Sequence, residues 1–481
     1  MKKVILSCII FVLLVSNSFA GDKIPVLVID SGTDFTHSKL KAIADPDLKE
    51  LNGKKGKDDS GNGYIDDIYG WNFPENNNIL VHLENAPPRY NDVIKFMELI
   101  GIYQQVGKDG MDPEDFKVLV KLYNDKKLSP WINFFGGWAH GTHCAGIVAE
   151  NNDSIKMKAV AHIPVGTPPA AQVAEQLQKF NFEILQNFNF IGLASEKKSR
   201  ALEDNPIYPQ LIDYFKRMGK ESAQKIKREA DFVASLKPRV VNCSFGSPNK
   251  QLLKVFKDNM VNNWGYKNPT DEDVQNLVNL YITHGQIPRD KVFYGGLKKA
   301  LIVIACGNSS EDNDKLMISP NNAPFTNTLV VAATNANKSL ANFSCYGKKN
   351  VDIAVPGVNI LSSTPKGKMA IMSGTSMAAP LAARYASLVF AANNELTPEN
   401  VKKILMQTVD KKSWLSEKVK SGGVINIERA ILAAKLVQAG KSITEAIDKA
   451  LKMVQTIEVL DMPAPEFKTD FEKKLYNSAI F

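Results

Sequence analysis

The amino-acid sequence predicts an α/β fold built on a mainly parallel β-sheet. Short apolar runs have the composition of strands that are buried on both faces, and segments with helical periodicity separate them. The clearest runs cover residues 24–29, 240–243, 301–306 and 328–333. Because ligands of such sheets bind beyond the carboxyl ends of the strands, the polar residues at these ends are the first candidates for a site. They are Asp30, Ser244 and Asn308.

The length and composition are those of a globular protein. The 481 residues are 44% hydrophobic and 23% charged, which excludes a disordered or collagen-like chain. The length allows two or three domains, or one large domain with insertions. The net charge of +8 is not gathered into a dense Lys/Arg block, so no nucleic-acid-binding module is expected.

The N-terminal residues 1–20 are typical of a secretion signal. Lys2 and Lys3 precede an apolar run, and small residues close the segment at Ala20. The run is too short for a spanning helix of about 20 residues. We therefore expect cleavage after Ala20, a secreted or periplasmic protein, and no later membrane span.

Four cysteines lie outside this segment, which is too few for a disulfide scaffold. Each stands in an apolar or motif context, so buried free thiols are predicted, with a single disulfide as the alternative. These residues are Cys144, Cys243, Cys306 and Cys345.

Three segments with helical spacing interrupt the alternation of strands and helices. They cover about residues 83–135, 166–222 and 248–296 and are interpreted as helical insertions that decorate the surface or shape a substrate groove. Residues 437–481 are predicted to form a C-terminal helical extension. Its Ser442 and Glu445 form a capping box. The apolar face that should pack back on the core consists of Ile443, Ile447, Leu451 and Val454.

Ser376 is the first candidate for chemistry. It lies in the string Gly-Thr-Ser-Met-Ala-Ala-Pro at 374–380, at the predicted start of an apolar helix. A serine there faces unpaired backbone N–H groups and the positive end of the helix dipole, which stabilise a neighbouring oxyanion. Gly-Thr-Ser alone would be weak evidence, because serine is also a common helix cap. The full string is much more specific.

His140 is the second candidate, in the string His-Gly-Thr-His-Cys at 140–144, and it is predicted to open a helix of small residues. A neutral imidazole, with a pKa near 6.5, accepts a proton at neutral pH. His140 and His143 could also form a metal pair. The zinc motif requires His-Glu-x-x-His, however, and no glutamate follows either histidine, which favours proton transfer.

Asp30 and Asn308 complete the set of candidates. A carboxylate at the end of a buried strand is costly unless it is paired, and a histidine N–H is a natural partner that would fix the tautomer. A turn cap or a phosphate-binding loop is the alternative, but no Gly-x-Gly-x-x-Gly follows Asp30. The amide of Asn308 lies beyond a strand end and could donate to a developing oxyanion, or serve as an ordinary turn residue.

These motifs, in the order Asp, His, Ser, resemble the subtilisin-like serine proteases (subtilases, peptidase family S8) over about residues 24–433, outside the insertions. The resemblance implies a subtilisin-like three-layer fold with a catalytic domain at 21–436. It also implies a secreted endopeptidase that acts on proteins or peptides through an acyl-enzyme on Ser376. His140 would be the general base and then acid, Asp30 would orient it, and Asn308 with the Ser376 N–H would form the oxyanion hole.

The resemblance also implies where substrate binds. Ser244, Phe245 and Gly246 would pair with the substrate backbone and, with Ala305 and Gly307, wall the S1 pocket. A monomer is expected, with no cofactor needed for the chemistry. Two other functions stay open at this point, a peptide ligase or cyclase and an inactive peptide-binding protein.

An acidic loop at 58–67 is a separate candidate for a structural Ca²⁺ site. Asp58, Ser60, Asn62 and Asp66 supply oxygen side chains around glycine turns, as Ca²⁺ requires. The loop resembles an EF-hand through its glycine, but Tyr69 stands where the bidentate glutamate should be. A plain Asx-rich turn is the alternative.

Overall fold

A computed structural model describes residues 22–480 apart from 167–173, 176, 182–206, 248, 267, 337 and 457–466. Its strands are β1 (Ile24–Asp30), β2 (Gly70–Asn72), β3 (Ile155–Ala161), β4 (Val240–Cys243), β5 (Leu301–Ala305), β6 (Thr328–Thr334), β7 (Ile353–Pro356), β8 (Ile360–Thr364), β9 (Lys368–Met372), β10 (Asp410–Lys411) and β11 (Gly423–Val424). The four predicted strands are observed to within one residue at each end.

Nine of these strands form one sheet in the order β10-β11-β7-β6-β5-β4-β1-β3-β2, counted over the described residues. Every neighbouring pair is parallel except β10 with β11. β8 and β9 form a separate antiparallel pair. The predicted α/β fold with a mainly parallel sheet is therefore confirmed.

The helices lie between the strands along the chain. They are α1 (Ser38–Lys41), α2 (Leu48–Asn52), α3 (Tyr90–Gly110), α4 (Pro113–Tyr123), α5 (Ser129–Ala149), α6 (Tyr208–Ser235), α7 (Asn249–Asn262), α8 (Asp271–Tyr281), α9 (Ile287–Gly295), α10 (Thr375–Ala392), α11 (Pro398–Gln407), α12 (Ile427–Gln438), α13 (Ile443–Met453) and α14 (Asp470–Tyr476). A π-helical turn, Ile282–Gln286, joins α8 to α9.

Helices cover both faces of the sheet and so make three layers. Alternate residues of β1 show this directly, because successive side chains of a strand point to opposite faces. Val26 and Val28 belong to the main hydrophobic core with residues of α3, α5 and α10. Leu27 and Ile29 belong to a second core with residues of α6 and α9.

The first insertion contributes to the main core. Val93, Phe96 and Met97 of α3 are fully buried there. This insertion therefore goes beyond surface decoration.

The second and third insertions share a hydrophobic core of their own. Phe215 of α6, Phe256 of α7 and Val278 of α8 are fully buried in it. Most of the second insertion, including residues 182–206, lies outside the described residues, and its helix α6 continues beyond the predicted limit to Ser235.

The C-terminal extension packs on the core through small residues. Ala446 and Ala450 of α13 are fully buried, and α13 packs against the alanine-rich helix α12. The predicted apolar face is right for Ile447 and wrong for Leu451, which is 39% exposed. Close approach of the two helices selects the alanine face rather than the leucine. None of the helices in the described part of the chain is both long and apolar enough to cross a membrane.

Candidate active site

Asp30 is the last residue of β1, an interior strand of the sheet, and its side chain is fully buried. Its Oδ1 accepts a hydrogen bond from the Ser31 N–H at 2.7 Å and lies 2.7 Å from His140 Nδ1. Its Oδ2 is buried and has no hydrogen-bond partner among the described residues. The histidine that sequence analysis expected beside this carboxylate is thus in direct contact with it.

His140 lies in the interior of α5, so the prediction that it opens a helix is wrong. The helix begins eleven residues earlier, at Ser129, where Pro130 occupies the first turn and its missing N–H costs little. Two contacts hold this part of α5 to the loop after β1. The Gly141 N–H donates to Ser31 Oγ at 3.2 Å, and the Asp34 N–H donates to Thr142 Oγ1 at 3.0 Å.

The environment of His140 favours its charged form. Burial is the largest single effect and lowers the pKa of His140. The charge and hydrogen bond of Asp30, together with the contact with Cys144, outweigh burial, so the pKa lies well above 6.5. The contact with Asp30 engages Nδ1 and leaves Nε2 as the nitrogen that can accept a proton.

His143 has a different environment from His140. It is fully buried, and its Nε2 donates to the Ala370 carbonyl at 3.0 Å. Burial lowers the pKa of His143 to about 3, so this ring is neutral. Through this hydrogen bond it supports the β8–β9 pair.

Ser376 is the second residue of α10 and is 6% exposed. Its Oγ donates to the Ser244 carbonyl at 3.1 Å, and its own carbonyl accepts from Ser244 Oγ at 2.9 Å. Within the described residues no hydrogen bond joins Ser376 Oγ to His140. The start of α10 is therefore fastened to the end of β4, with the Ser376 N–H in its first turn.

Asn308 follows β5 and is oriented by Thr375. Its Oδ1 accepts from the Thr375 N–H at 2.9 Å and from Thr375 Oγ1 at 2.8 Å. The same Thr375 Oγ1 accepts from the Gly307 N–H at 3.2 Å. Because the amide oxygen is engaged, Nδ2 is the end of the amide presented to the site. Sequence analysis missed Thr375, which offers no local sign of this role.

The predicted substrate-binding residues lie at the carboxyl ends of the neighbouring strands β4 and β5. Ser244 is buried, Gly246 is exposed, and the Phe245 ring lies 5.1 Å from the His162 ring. Ala305 ends β5. Gly307 has φ of +103°, which glycine adopts without strain, and a Cβ there would lie 3.2 Å from Cys345 Sγ.

All four described cysteines are free and buried, as predicted. Cys144 is the one beside the site, where its Sγ lies 3.9 Å from His140 Nδ1 and donates to the Ser376 carbonyl at 3.3 Å. Possible ligand atoms of Asp30, His140 and Cys144 lie within 4.8 Å of one another. Burial raises the pKa of the Cys144 thiol, so it stays protonated and acts as a hydrogen-bond donor.

The acidic loop has the contacts of an Asx-rich turn. Asp58 accepts from the N–H groups of Gly61 and Gly63 at 2.7 Å each, and Ser60 Oγ donates to it at 3.2 Å. Asn62 Oδ1 accepts from the Tyr64 N–H. These oxygens serve the backbone and side chains of the loop itself.

Two further carboxylates of the loop, Asp66 and Asp67, differ in whether their oxygens are free to bind a cation. Asp66 accepts from the Gly56 N–H at 2.8 Å and so is turned toward the start of the loop. The neighbouring Asp67 is buried, its Oδ1 has no partner among the described residues, and burial raises its pKa to about 6. This orphaned oxygen is the observation in the loop that fits a bound cation.

A sequence profile of the Subtilase family, peptidase S8, matches residues 21–427. The chain belongs to this family. It is 26% identical over 424 residues to subtilisin-like protease 1 of Plasmodium berghei (strain Anka), covering 87% of this chain and 51% of that protein. It is 25% identical over 419 residues to the Plasmodium vivax protein of the same name, covering 84% and 46%. The chain thus spans about half the length of the curated relatives it matches.

The chain was also compared with solved structures. A cold-adapted subtilisin-like serine proteinase aligns with a TM-score of 0.40 and 18% identity, covering 85% of this chain and 89% of the other.

Proposed function

We propose that this chain is a serine endopeptidase that hydrolyses peptide bonds through an acyl-enzyme on Ser376. The observation that supports it most is the 2.7 Å contact between Asp30 and His140, which lie 110 positions apart. In this proposal the Ser376 hydroxyl attacks the peptide carbonyl. His140 takes the proton at Nε2 and later gives it to the leaving amine, while Asp30 holds the ring and stabilises the imidazolium.

The Ser376 hydroxyl must change partner before it reacts. It now donates to the Ser244 carbonyl, and attack requires that it donate to His140 instead. Catalytic hydrogen bonds of this kind often tighten only when substrate is bound. Substrate backbone that pairs with Ser244, Phe245 and Gly246 would lie beside the same carbonyl and favour this exchange.

Asn308 Nδ2 and the Ser376 N–H would stabilise the oxyanion of the tetrahedral intermediate. Thr375 fixes the amide of Asn308, so the donor is held in place before reaction and little reorganisation is needed. Ala305 and Gly307 would wall the S1 pocket. The substrates would be proteins or peptides, and the enzyme would act as a monomer without a cofactor in the chemistry.

The proposal also includes where the protein acts in or outside the cell and whether it binds calcium. Residues 1–20 support export and cleavage near Ala20, and hence a secreted or periplasmic enzyme. A structural Ca²⁺ at the 58–67 loop would be held by Asp58, Ser60, Asn62 and Asp66, with the orphaned oxygen of Asp67 as its structural support. The ion would stabilise the loop.

Labelling with a fluorophosphonate tests the proposal, because the reagent reacts with an activated serine. Residues 21–481 would be compared with Ser376→Ala and with Ser387→Ala, which removes another buried serine of α10. We expect labelling of the parent and of Ser387→Ala but not of Ser376→Ala. A folded parent that is not labelled would contradict the proposal and favour an inactive binding protein.

Product analysis then separates hydrolysis from ligation. The parent protein, not treated with the fluorophosphonate, would be given a peptide substrate together with an amine-bearing peptide, and the products would be identified by mass spectrometry. Free carboxyl products are expected. Joined or cyclic peptides as the main products would instead support the ligase alternative, which uses the same acyl-enzyme but excludes water.

A further inference from the structure

The C-terminal segment 467–480 is connected to the strand end that precedes the nucleophile. Ser373 stands directly after β9 and three residues before Ser376, and it is fully buried. Its backbone forms a parallel bridge with Ile480. The segment also packs in the main core through Leu475, Tyr476 and Ala479.

Gln104 of α3 joins these parts through a directed chain of hydrogen bonds. Its Nε2 donates to the Tyr476 carbonyl at 2.8 Å, which fixes the orientation of the amide, because a carbonyl only accepts. Its Oε1 therefore accepts from Ser373 Oγ, at 2.5 Å. Ser373 Oγ in turn accepts from the Asn359 N–H at 2.9 Å. Both polar atoms of the Gln104 amide therefore have a hydrogen-bond partner.

The position of Gln104 leaves little freedom for substitution or for solvent. The side chain is 2% exposed. Without the Tyr476 carbonyl, Nε2 loses the partner that fixes the orientation of the amide, so the amide can rotate away from Ser373. Loss of the C-terminal segment is therefore transmitted to the Ser373 hydroxyl.

Ser373 lies next to the turn that leads into α10 and Ser376, and this turn contacts the segment between β7 and β8. The Gly374 N–H donates to the Gly357 carbonyl at 2.8 Å, and the Gly374 carbonyl lies 2.7 Å from where a Cβ of Gly357 would stand. The chain from β7 to β8 and the chain from β9 to α10 thus lie in close contact. Ser373 joins the two segments, because it precedes α10 and its Oγ accepts from the Asn359 N–H. We therefore expect displacement of either segment to move the start of α10.

We propose that the C-terminal segment 467–480 acts through Gln104 as a clamp that positions the turn at Ser373 and Gly374, and with it the start of α10 that bears Ser376. Gln104 is a positioning residue, because it reaches the nucleophile only through Ser373. The catalytic part of this inference rests on the proposed function. The clamp itself is a physical coupling that is measurable whether or not the chain cleaves peptides.

Two variants and one control test the clamp. Gln104→Leu removes both hydrogen bonds at similar size, and a chain shortened to residues 21–466 removes the segment. Lys468→Ala is the control, since it breaks the exposed 2.8 Å ion pair with Asp109 between the same two elements and leaves Gln104 intact. Hydrogen exchange of peptides covering 357–376 is measured for all of them, together with the rate of fluorophosphonate labelling.

We expect at least tenfold faster exchange over 357–376 and at least tenfold slower labelling for Gln104→Leu and for the shortened chain. Lys468→Ala should stay within about twofold of the parent. A synthetic peptide of residues 467–481, added to the shortened chain, should restore part of both properties. For peptidase activity, kcat should fall while KM changes little, because neither variant alters the proposed substrate-binding residues Ser244, Phe245 and Gly246.

These measurements test the clamp and the proposed function separately. If the parent is labelled and Gln104→Leu matches it in labelling and exchange, the clamp is wrong and the proposed function stands. If the parent is not labelled, the proposed function fails, and the exchange of 357–376 still decides whether the clamp exists. A global loss of protection in Gln104→Leu equal to that in 357–376 would mean general destabilisation and would overturn the clamp.

Discussion

Gly141 of α5 lies directly against the backbone of Gly32, in the loop after β1. A Cβ at position 141 would stand 2.2 Å from the Gly32 carbonyl oxygen, which is far inside van der Waals contact. The glycine therefore sets how closely α5 approaches the end of β1. This approach brings the ring of His140, the preceding residue, within 2.7 Å of Asp30.

Gly141→Ala should destabilise the fold by about 1–3 kcal/mol, the usual cost of overpacking, and should lower kcat by displacing His140 from Asp30. Gly137→Ala on the same helix is the matched control. The nearest atom to its Cβ would be 4.0 Å away, and alanine favours helix by about 1 kcal/mol over glycine. Chemical unfolding and peptidase assays measure both. Equal stability of the two variants would contradict this account of the contact.

Asn308→Asp should lower kcat about 10²- to 10³-fold with little change in KM, as loss of one oxyanion donor does in subtilisin. The carboxylate keeps an acceptor for Thr375, so the loop stays in place, while the Nδ2 donor is lost. Steady-state kinetics with a fluorogenic peptide measure the effect. A kcat within threefold of the parent would show that Asn308 does not serve the oxyanion.

The pH profile should depend on Asp30. Because the carboxylate raises the pKa of His140 well above 6.5, kcat/KM should rise with pH through a midpoint above 6.5 as His140 loses its proton. In Asp30→Asn this midpoint should move down, and kcat should fall about 10⁴-fold, as for the corresponding change in a well-studied serine protease. An unchanged midpoint would mean that the rise of kcat/KM with pH reflects the ionisation of a group other than His140.

The same pair predicts a pH dependence of stability. The folded-state pKa of His140 is raised, so its contribution to the free energy of unfolding is complete below the unfolded pKa of about 6.5 and is lost as pH rises through the folded pKa. Ser376→Ala, which avoids self-cleavage, should lose stability over this window. When Asp30→Asn is added to Ser376→Ala, the free energy of unfolding should decrease less over the same pH window. Parallel curves for the two proteins would contradict the pairing.

Calcium binding at the 58–67 loop would appear as a thermal shift. The unfolding midpoint of the parent should rise in Ca²⁺ relative to a chelator, because a ligand that binds only the folded state stabilises it. Asp58→Asn should abolish the rise, whereas Asp231→Asn, an exposed acid on α6, should keep it. Identical midpoints with and without Ca²⁺ in the parent would leave the loop as a plain Asx-rich turn.

The sequence alone predicted four of the eleven strands in the described part of the chain, and the polar residues that follow them. Buried parallel strands are short apolar runs, so β4 was predicted to the residue and β1, β5 and β6 to within one. Parallel pairing then brings strand ends to one edge, which is why Asp30, Ser244 and Asn308 were found together. These are local patterns combined with one rule of topology.

Features that depend on distant partners were missed. The start of α5 at Ser129 was not predicted, because the helix is buried on several sides and has no clear apolar stripe ahead of His140. Gln104 and Ser373 lie 269 positions apart, and no local pattern pairs a helical glutamine with a serine after a strand. Leu451 was assigned to the wrong face because the partner helix, rather than hydrophobicity, decides which side is buried.

The core shared by the second and third insertions has a consequence for how this chain is altered or inherited. Phe215 from one insertion and Phe256 from the other contact each other in this core and are both buried there. A chain with only one of the two insertions would therefore present an aromatic face to water. The two segments are a single unit divided in sequence. Shortened versions of this chain should remove the parts that form this shared core together and keep α9, which packs on the sheet. Related chains should be found to keep or lack the two parts as a pair.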